Sequence, residues 1–340
     1  MSRAQLTSTD QQNSGGPVSP FLAGKNKIIN GDFGIWQRGT SFTNPAGGFT
    51  ADRWAHNADG SGKTIVISQQ TFTPGTAPVA GYEGTYFYRL NQTVAGTGGT
   101  FNVFQTGLED VRLFAGQTVT LSLWAKADAS RLLGFTFVQD FGSGGSSTVG
   151  TFLTGPTLTT AWSRYSVTLT IPSVAGKTIG TSSALRIQIS VPVNTTQTVD
   201  VWGVQLEAGS VATPFTTASG TLQGELALCQ RYYIRFTATD GYGYLGNPGM
   251  IYAGNTTRNP ISLPVAMRTY PTSLDYASIC LTDILNSYSG GTWTIVSGGG
   301  SVNCPTIQYA HTSSSMTVYH PAFIQCNATP NGYFGFSAEL

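Results

Sequence analysis

Charge is scarce in this chain. Only 10% of its 340 residues are Asp, Glu, Lys or Arg, and they balance to a net +1. No basic stripe is present, which excludes the counterion-driven attraction on which nucleic-acid binding draws. Long apolar runs are missing too, so no segment reads as a membrane-spanning helix. The opening MSRAQLTSTDQQNSGGPVSPFLAG lacks the apolar centre of a signal peptide. Cysteine is absent from the first half: Cys229, Cys280, Cys304 and Cys326 make up the complement, with no CxxC pair. They read as reduced, buried thiols. A disulfide between Cys304 and Cys326 is the alternative if the protein matures outside a reducing cytosol.

The signatures of common catalysts are missing as well. There is no GxSxG elbow and no P-loop, and His56, His311 and His320 show neither HExxH nor HxH spacing. Sixteen acidic residues are scattered among turns and strand edges. None forms a motif pair of the kind that glycosidic cleavage requires. The chain therefore reads as a protein that is not an enzyme.

What remains is the profile of an all-β protein. Glycine contributes 42 residues, Thr and Ser are abundant, and 40% of the chain is hydrophobic, enough for a packed core. No stretch sustains a helical apolar period. Residues 198–215, TVDVWGVQLEAGSVATPF, organise the first half. Their alternation places Asp200, Trp202, Val204 and Leu206 on one side of a strand and Val201, Gly203 and Gln205 on the other, before Gly209 and Pro214 stop it.

Before this closing strand, alternating stretches recur at 64–68, 86–91, 101–105, 118–125, 133–137, 165–171 and 185–191. Turn clusters at 96–99, 142–147 and 172–176 separate them. With the opening stretch NKIINGDFGIWQRG this makes about nine or ten strands, the count of a two-sheet jelly roll. In ADRW (51–54) an acid and a base flank a Trp, the arrangement of a structural ion pair under an aromatic ring. Trp124 falls on the opposite face from Val119, Leu121 and Leu123, among hydroxyls. It is either a sugar-stacking platform or a ring covered by an edge loop.

Residues 216–224 are small and polar and mark a boundary. ELALCQRYYIRF then starts with one helical turn and becomes a strand. Further strands are expected at 250–253, 261–267, 274–281, 292–296, 316–319 and 333–336, the last tied into a sheet or an oligomer interface. The expected architecture is two β-sandwich, jelly-roll-like domains, at 26–218 and 219–340, behind an extended arm at 1–25.

NKIINGDFGIWQRG with ADRW at one end, and VWGVQLEAGSVATPF at the other, resemble a module common in bacteriophage tail-fibre and other virion proteins. That module is similar to carbohydrate-binding jelly rolls. ELALCQRYYIRF, ISLPVAMRTYPT (261–272) and the terminal FSAEL resemble the parts that follow it. The likeness covers nearly the whole chain after residue 25. It implies a virion structural protein, a homotrimer, attached to other virion proteins through the arm and located on the particle. The function it implies is a tail fibre that recognises host-surface polysaccharide. A head decoration or head-fibre protein of purely structural role is the alternative. No nucleic-acid partner and no membrane insertion are expected.

No binding position transfers from the family, so the glycan candidates are aromatics chosen for stacking: Trp124, and Tyr242, Tyr244, Tyr288 and Trp293 as loop residues of the second domain. Modules of this kind often hold calcium near their opening and closing strands, where Asn30, Asp32, Asp200 and Glu207 offer oxygens. The plainer reading is that Asp32 caps a turn and Glu207 pairs with Arg38 or Arg53.

Overall fold

The computed structural model describes residues 24–340 apart from 46, 81, 100, 284 and 313–315. The expected arm lies outside the described residues up to position 23. The chain divides into two units, Met1–Glu225 and Leu226–Leu340, and among the described residues both are all-β save for one helix.

In the first unit the described strands are β1 (Ser41–Thr43), β2 (Ala55–Ala58), β3 (Thr64–Thr71), β4 (Tyr86–Val94), β5 (Phe101–Leu108) and β6 (Thr118–Ala127). They continue with β7 (Arg131–Asp140), β8 (Val149–Leu158), β9 (Ser163–Thr170), β10 (Ala184–Pro192) and β11 (Gln197–Ala208). They form a six-stranded sheet, order β1-β3-β4-β11-β6-β9, and a five-stranded sheet, order β2-β5-β10-β7-β8. Every pairing is antiparallel.

One core cluster draws on both sheets. Val119, Leu121 and Leu123 from β6 join Phe135 and Phe137 from β7 and Ile187 and Ile189 from β10, all buried. This is the product of period-2 alternation: one face of each strand is apolar, and two such faces close on each other.

The closing strand departs from the simple alternation. Val199 and Val201 belong to the core, but so do Val204 and Leu206. Trp202 belongs to a separate cluster on the opposite face. A bulge between Trp202 and Gln205 resets the pairing with β6, at Gly203, whose φ is +65°. One extra residue reverses which face the following side chains occupy. Asp200 and Trp202 therefore face outward while Val204 and Leu206 face the core.

β8 was not expected. Its sequence, VGTFLTGPTL, is mostly half-exposed, with Pro156 tolerated because the strand lies at the sheet edge.

Helix α1 (Leu222–Gln230) is also longer than the single turn expected. Thr221 caps it: its hydroxyl accepts from the Gly224 amide at 3.1 Å.

The second unit holds β12 (Tyr233–Thr237), β13 (Tyr244–Ala253), β14 (Thr256–Pro260), β15 (Ser273–Ala277) and β16 (Ile279–Thr282). After them come β17 (Ser287–Tyr288), β18 (Thr292–Ile295), β19 (Thr306–Ala310), β20 (Pro321–Cys326) and β21 (Tyr333–Ser337). A three-stranded sheet runs β12-β21-β15 and a seven-stranded one runs β17-β16-β20-β13-β14-β19-β18. β21 is the central strand of its sheet, so the apolar C-terminal stretch is tied into a sheet. Residues 261–267 and 316–319 are turns and irregular chain rather than strands. All four cysteines are free thiols, with Cys304 partly exposed and the other three buried.

Candidate functional site

The two sheets of the first unit treat their outer faces differently. Over the six-stranded sheet, Trp124 and Trp202 pack at 5.5 Å between ring centroids. Phe215 from the segment after β11 lies 5.0 Å from Trp202. Phe72 and Tyr82, from the connection between β3 and β4, lie 6.0 and 5.4 Å from the same ring. Gly84 in that connection sits flat on the indole: a Cβ there would meet Trp202 Nε1 at 2.9 Å. This face is closed by the protein's own chain.

Over the five-stranded sheet no such cover is found among the described residues. Phe152 on β8 is 78% exposed, and Phe101 on β5 and Leu132 on β7 are about half exposed. Between them runs a groove of about 290 Å3. Its floor follows the strand registers. Gln105, Gln188, Thr136 and Phe152 stand in one cross-strand row, and Val103, Ser190, Gly134 and Thr154 in the next.

The Gln188 amide nitrogen donates to the Gln105 side-chain oxygen at 2.8 Å. This fixes both amides and leaves the Gln188 oxygen to accept and the Gln105 nitrogen to donate. Gly134 keeps the floor low: a Cβ there would meet the Ser190 hydroxyl at 2.5 Å. Phe101 and Phe152 are three strands apart, about 14 Å across the sheet at ~4.8 Å spacing, and four residues apart in register, about 13 Å along it. At one end of the face the Arg186 guanidinium holds Asp140 with bonds of 3.1 and 2.9 Å, so its charge is matched. The groove therefore offers apolar and aromatic walls, an amide and hydroxyl floor and no unmatched charge among its described lining.

The structure places the sequence candidates as follows. Trp124 is on the outer face of its sheet as expected, but it is only 8% exposed, with the Arg164 guanidinium 4.6 Å over its ring. Of the two readings of Trp124, the covered ring is the one observed, and no ring face is open there for a sugar. Tyr288 and Trp293 are not loop residues but lie on β17 and β18, buried. The Tyr288 hydroxyl donates to Asp283 at 3.0 Å, and Trp293 packs on Tyr309 at 4.5 Å. Tyr242 and Tyr244 are exposed, at 68% and 60%, Tyr244 as the first residue of β13 rather than in a loop and packed on Phe323.

The four oxygen candidates do not form one ligand set. The Asn30 side chain is consumed by backbone: its nitrogen donates to Ile35 O and Asp52 O, and its oxygen accepts from Ile35 N. Asp32 caps a turn by accepting from Gly34 N. Burial and the nearby Glu225 charge raise its carboxyl to about 6. Asp200 is held by Arg89 at 2.7 and 2.8 Å, with Lys126 at 3.6 Å. Glu207 accepts from Thr213 and Gln205 and lies 3.8 Å from Lys25, where Arg38 or Arg53 had been expected. Asp200 and Glu207 are seven residues apart on one strand, roughly 20 Å, too far for a shared ion. Among the described residues no group of three or more His, Cys, Asp or Glu converges.

In ADRW, Asp52 accepts from the Gln37 amide at 3.0 Å and Arg53 donates to Gly107 O. Each thus braces a neighbouring stretch of chain, and Trp54 donates to Asn30 O at 3.1 Å.

No protein-family model and no curated protein matches the sequence. Among solved structures the likenesses are weak. The enzymatically active domain of tailspike protein 4 from bacteriophage CBA120 is 16% identical, over 56% of this chain and 22% of that one, with a TM-score of 0.35. This chain thus spans about a fifth of that protein's length. TmCBM61, solved with β-1,4-galactotriose, is 11% identical over 54% of this chain and 99% of its own, at 0.32. A cyclase from Fischerella sp. TAU is 14% identical over 55% and 98%, at 0.36.

Proposed function

We propose that the protein is a non-catalytic virion component of the tail-fibre type that recognises host-surface glycan through the outer face of β5, β10, β7 and β8. The observation that carries the glycan reading is the open groove between Phe101, Leu132 and Phe152, whose Gln188 amide is fixed by the neighbouring Gln105. A sugar presents apolar C–H faces and a ring of hydroxyls and is uncharged. It is matched by rings that stack, amides and hydroxyls that hydrogen-bond, and an absence of unmatched charge.

The virion placement, the trimer and attachment through the arm rest on the ordered sequence likeness to phage fibre proteins. Exposed apolar side chains also suit contact between protein copies, which is what the purely structural role of a head fibre would use.

A glycan array probed with the full chain separates the two. The proposal expects binding to neutral oligosaccharides that falls about tenfold or more in Phe152→Ala and Phe101→Ala, the loss of one stacked ring being worth on the order of 1.4 kcal/mol. Absence of glycan binding, together with a loss of oligomer in the same variants, would replace it with the structural role. Antibody labelling of particles, read by electron microscopy, tests the virion placement directly.

A further inference from the structure

The groove over the five-stranded sheet has two unlike walls. Its floor is the cross-strand row that runs through Ser190 and Gly134. Two residues along the strands to one side stand Phe101 on β5 and Leu132 on β7. Two residues to the other side stand Gln188 on β10 and Thr136 on β7. Side chains two apart on a strand share a face at a spacing of ~7 Å. Both walls therefore rise from one surface, and the floor runs between them across the strands.

The sequence of β7 sets this asymmetry. Leu133, Phe135 and Phe137 fill the core, so Leu132, Gly134 and Thr136 alternate outward as an apolar wall, a gap and a hydroxyl. Phe101 and Leu132, about half exposed, carry no hydrogen-bonding atom in their side chains. On the facing wall Gln188 Nε2 donates to Gln105 Oε1 at 2.8 Å. This fixes the Gln188 oxygen as an acceptor, with the Thr136 hydroxyl beside it in the same row. No charged side chain lies in the described lining.

We propose that the groove selects 6-deoxyhexose residues. Each is seated edge-on, with the methyl on C5 against Phe101 and Leu132 and the opposite C2–C3 diol toward Gln188 and Thr136. This rests on the reading of the groove as a glycan site and names the class of sugar it takes. A pyranose has those two edges on opposite sides of its ring, as the groove has its two walls. In a 6-deoxyhexose the C5 edge ends in a methyl, which loses water to apolar carbon favourably. In the parent hexose the same edge ends in a hydroxymethyl. Its hydroxyl would give up water against a wall that offers no partner, which is unfavourable.

The test is an amide NMR titration of the full chain with two matched pairs of glycosides. They are methyl α-L-rhamnoside against methyl α-L-mannoside, and methyl α-L-fucoside against methyl α-L-galactoside, each pair differing at C6 alone. In at least one pair the 6-deoxy member is expected to shift Phe101, Gly134 and Gln188 and to bind about tenfold or more tightly than its partner. Leu132→Asn, at a half-exposed position, puts an amide into the apolar wall and is expected to bring the two members to similar affinity. Leu132→Met keeps the wall apolar and is expected to keep the preference. Equal affinities within both pairs, or tighter binding of the hexoses, overturn the proposal and leave the groove a glycan site. An unchanged preference in Leu132→Asn overturns it too. If none of the four glycosides and no oligosaccharide on the array binds, the glycan reading itself fails, and the proposal falls with it.

Discussion

The two outer faces of the first unit begin from similar sequence and end differently. On the six-stranded sheet Trp124 and Trp202 point away from the core, and the chain returns to bury them under Phe72, Tyr82 and Phe215. On the five-stranded sheet Phe101, Leu132 and Phe152 also point away from the core, and they stay exposed. Burying an aromatic side chain stabilises by about 1.5–3 kcal/mol. Leaving three apolar side chains in water forgoes that stabilisation. The difference separates a face that serves folding from the open face to which the glycan contact is proposed.

The comparison breaks most visibly at Trp202. Its replacement by Ala is expected to lower stability by about 3–5 kcal/mol in denaturant unfolding, because the ring is fully buried among four other aromatics. Phe152→Ala, which removes an equally apolar ring from the open face, is expected to change stability by no more than about 0.5 kcal/mol. Comparable losses from the two would mean that the open face is not open in solution.

The ion pairs of the two faces offer a second contrast. Asp200→Ala removes a buried carboxylate that neutralises Arg89 and Lys126, with an expected cost of about 1–3 kcal/mol. Arg186→Ala breaks a partly exposed pair with Asp140 and is expected to cost less than about 1 kcal/mol. Thermal unfolding of the two variants ranks them.

Gly203→Ala probes the bulge that turns Val204 and Leu206 inward after Trp202. The left-handed backbone alone costs about 1–2 kcal/mol, and the added methyl would meet the Trp124 ring at 2.9 Å. The near-ultraviolet circular dichroism of the tryptophans should change with it.

Much of this arrangement was legible in the sequence. Alternation gave β3 to β7 and β9 to β11 of the first unit, the all-β class and the inner and outer faces of β6, but not β1, β2 or β8, and the opening stretch at 26–39 is turns and irregular chain rather than a strand. Adjacent apolar pairs also carried a signal that went unused: in Leu132 with Leu133 and in Phe152 with Leu153, one residue of each pair must face away from the core. β8 was missed because Gly142 to Ser147 read as the start of a long turn and the hydroxyls of GTFLTG hid the period. The groove was missed with it. The bulge at Gly203 was hidden because the residues on both sides of it alternate in an unbroken pattern, and only pairing with β6 exposes the slip. The covers of Trp124, Tyr288 and Trp293 come from residues distant in sequence, Phe215, Asp283 and Tyr309 among them, and a local pattern cannot register them. The calcium candidates fail together for the same reason: partners such as Arg89 and Thr213 already occupy their oxygens.

The central claim is that the open sheet face is the glycan contact. Amide NMR of the full chain, titrated with the oligosaccharide that binds best on the array, tests it residue by residue. The account predicts shifts clustered on Phe101, Gln105, Gly134, Phe152 and Gln188, with Trp124 and Trp202 unmoved. Shifts confined to Tyr242 and Tyr244 in the second unit, or spread over the covered face, would contradict it.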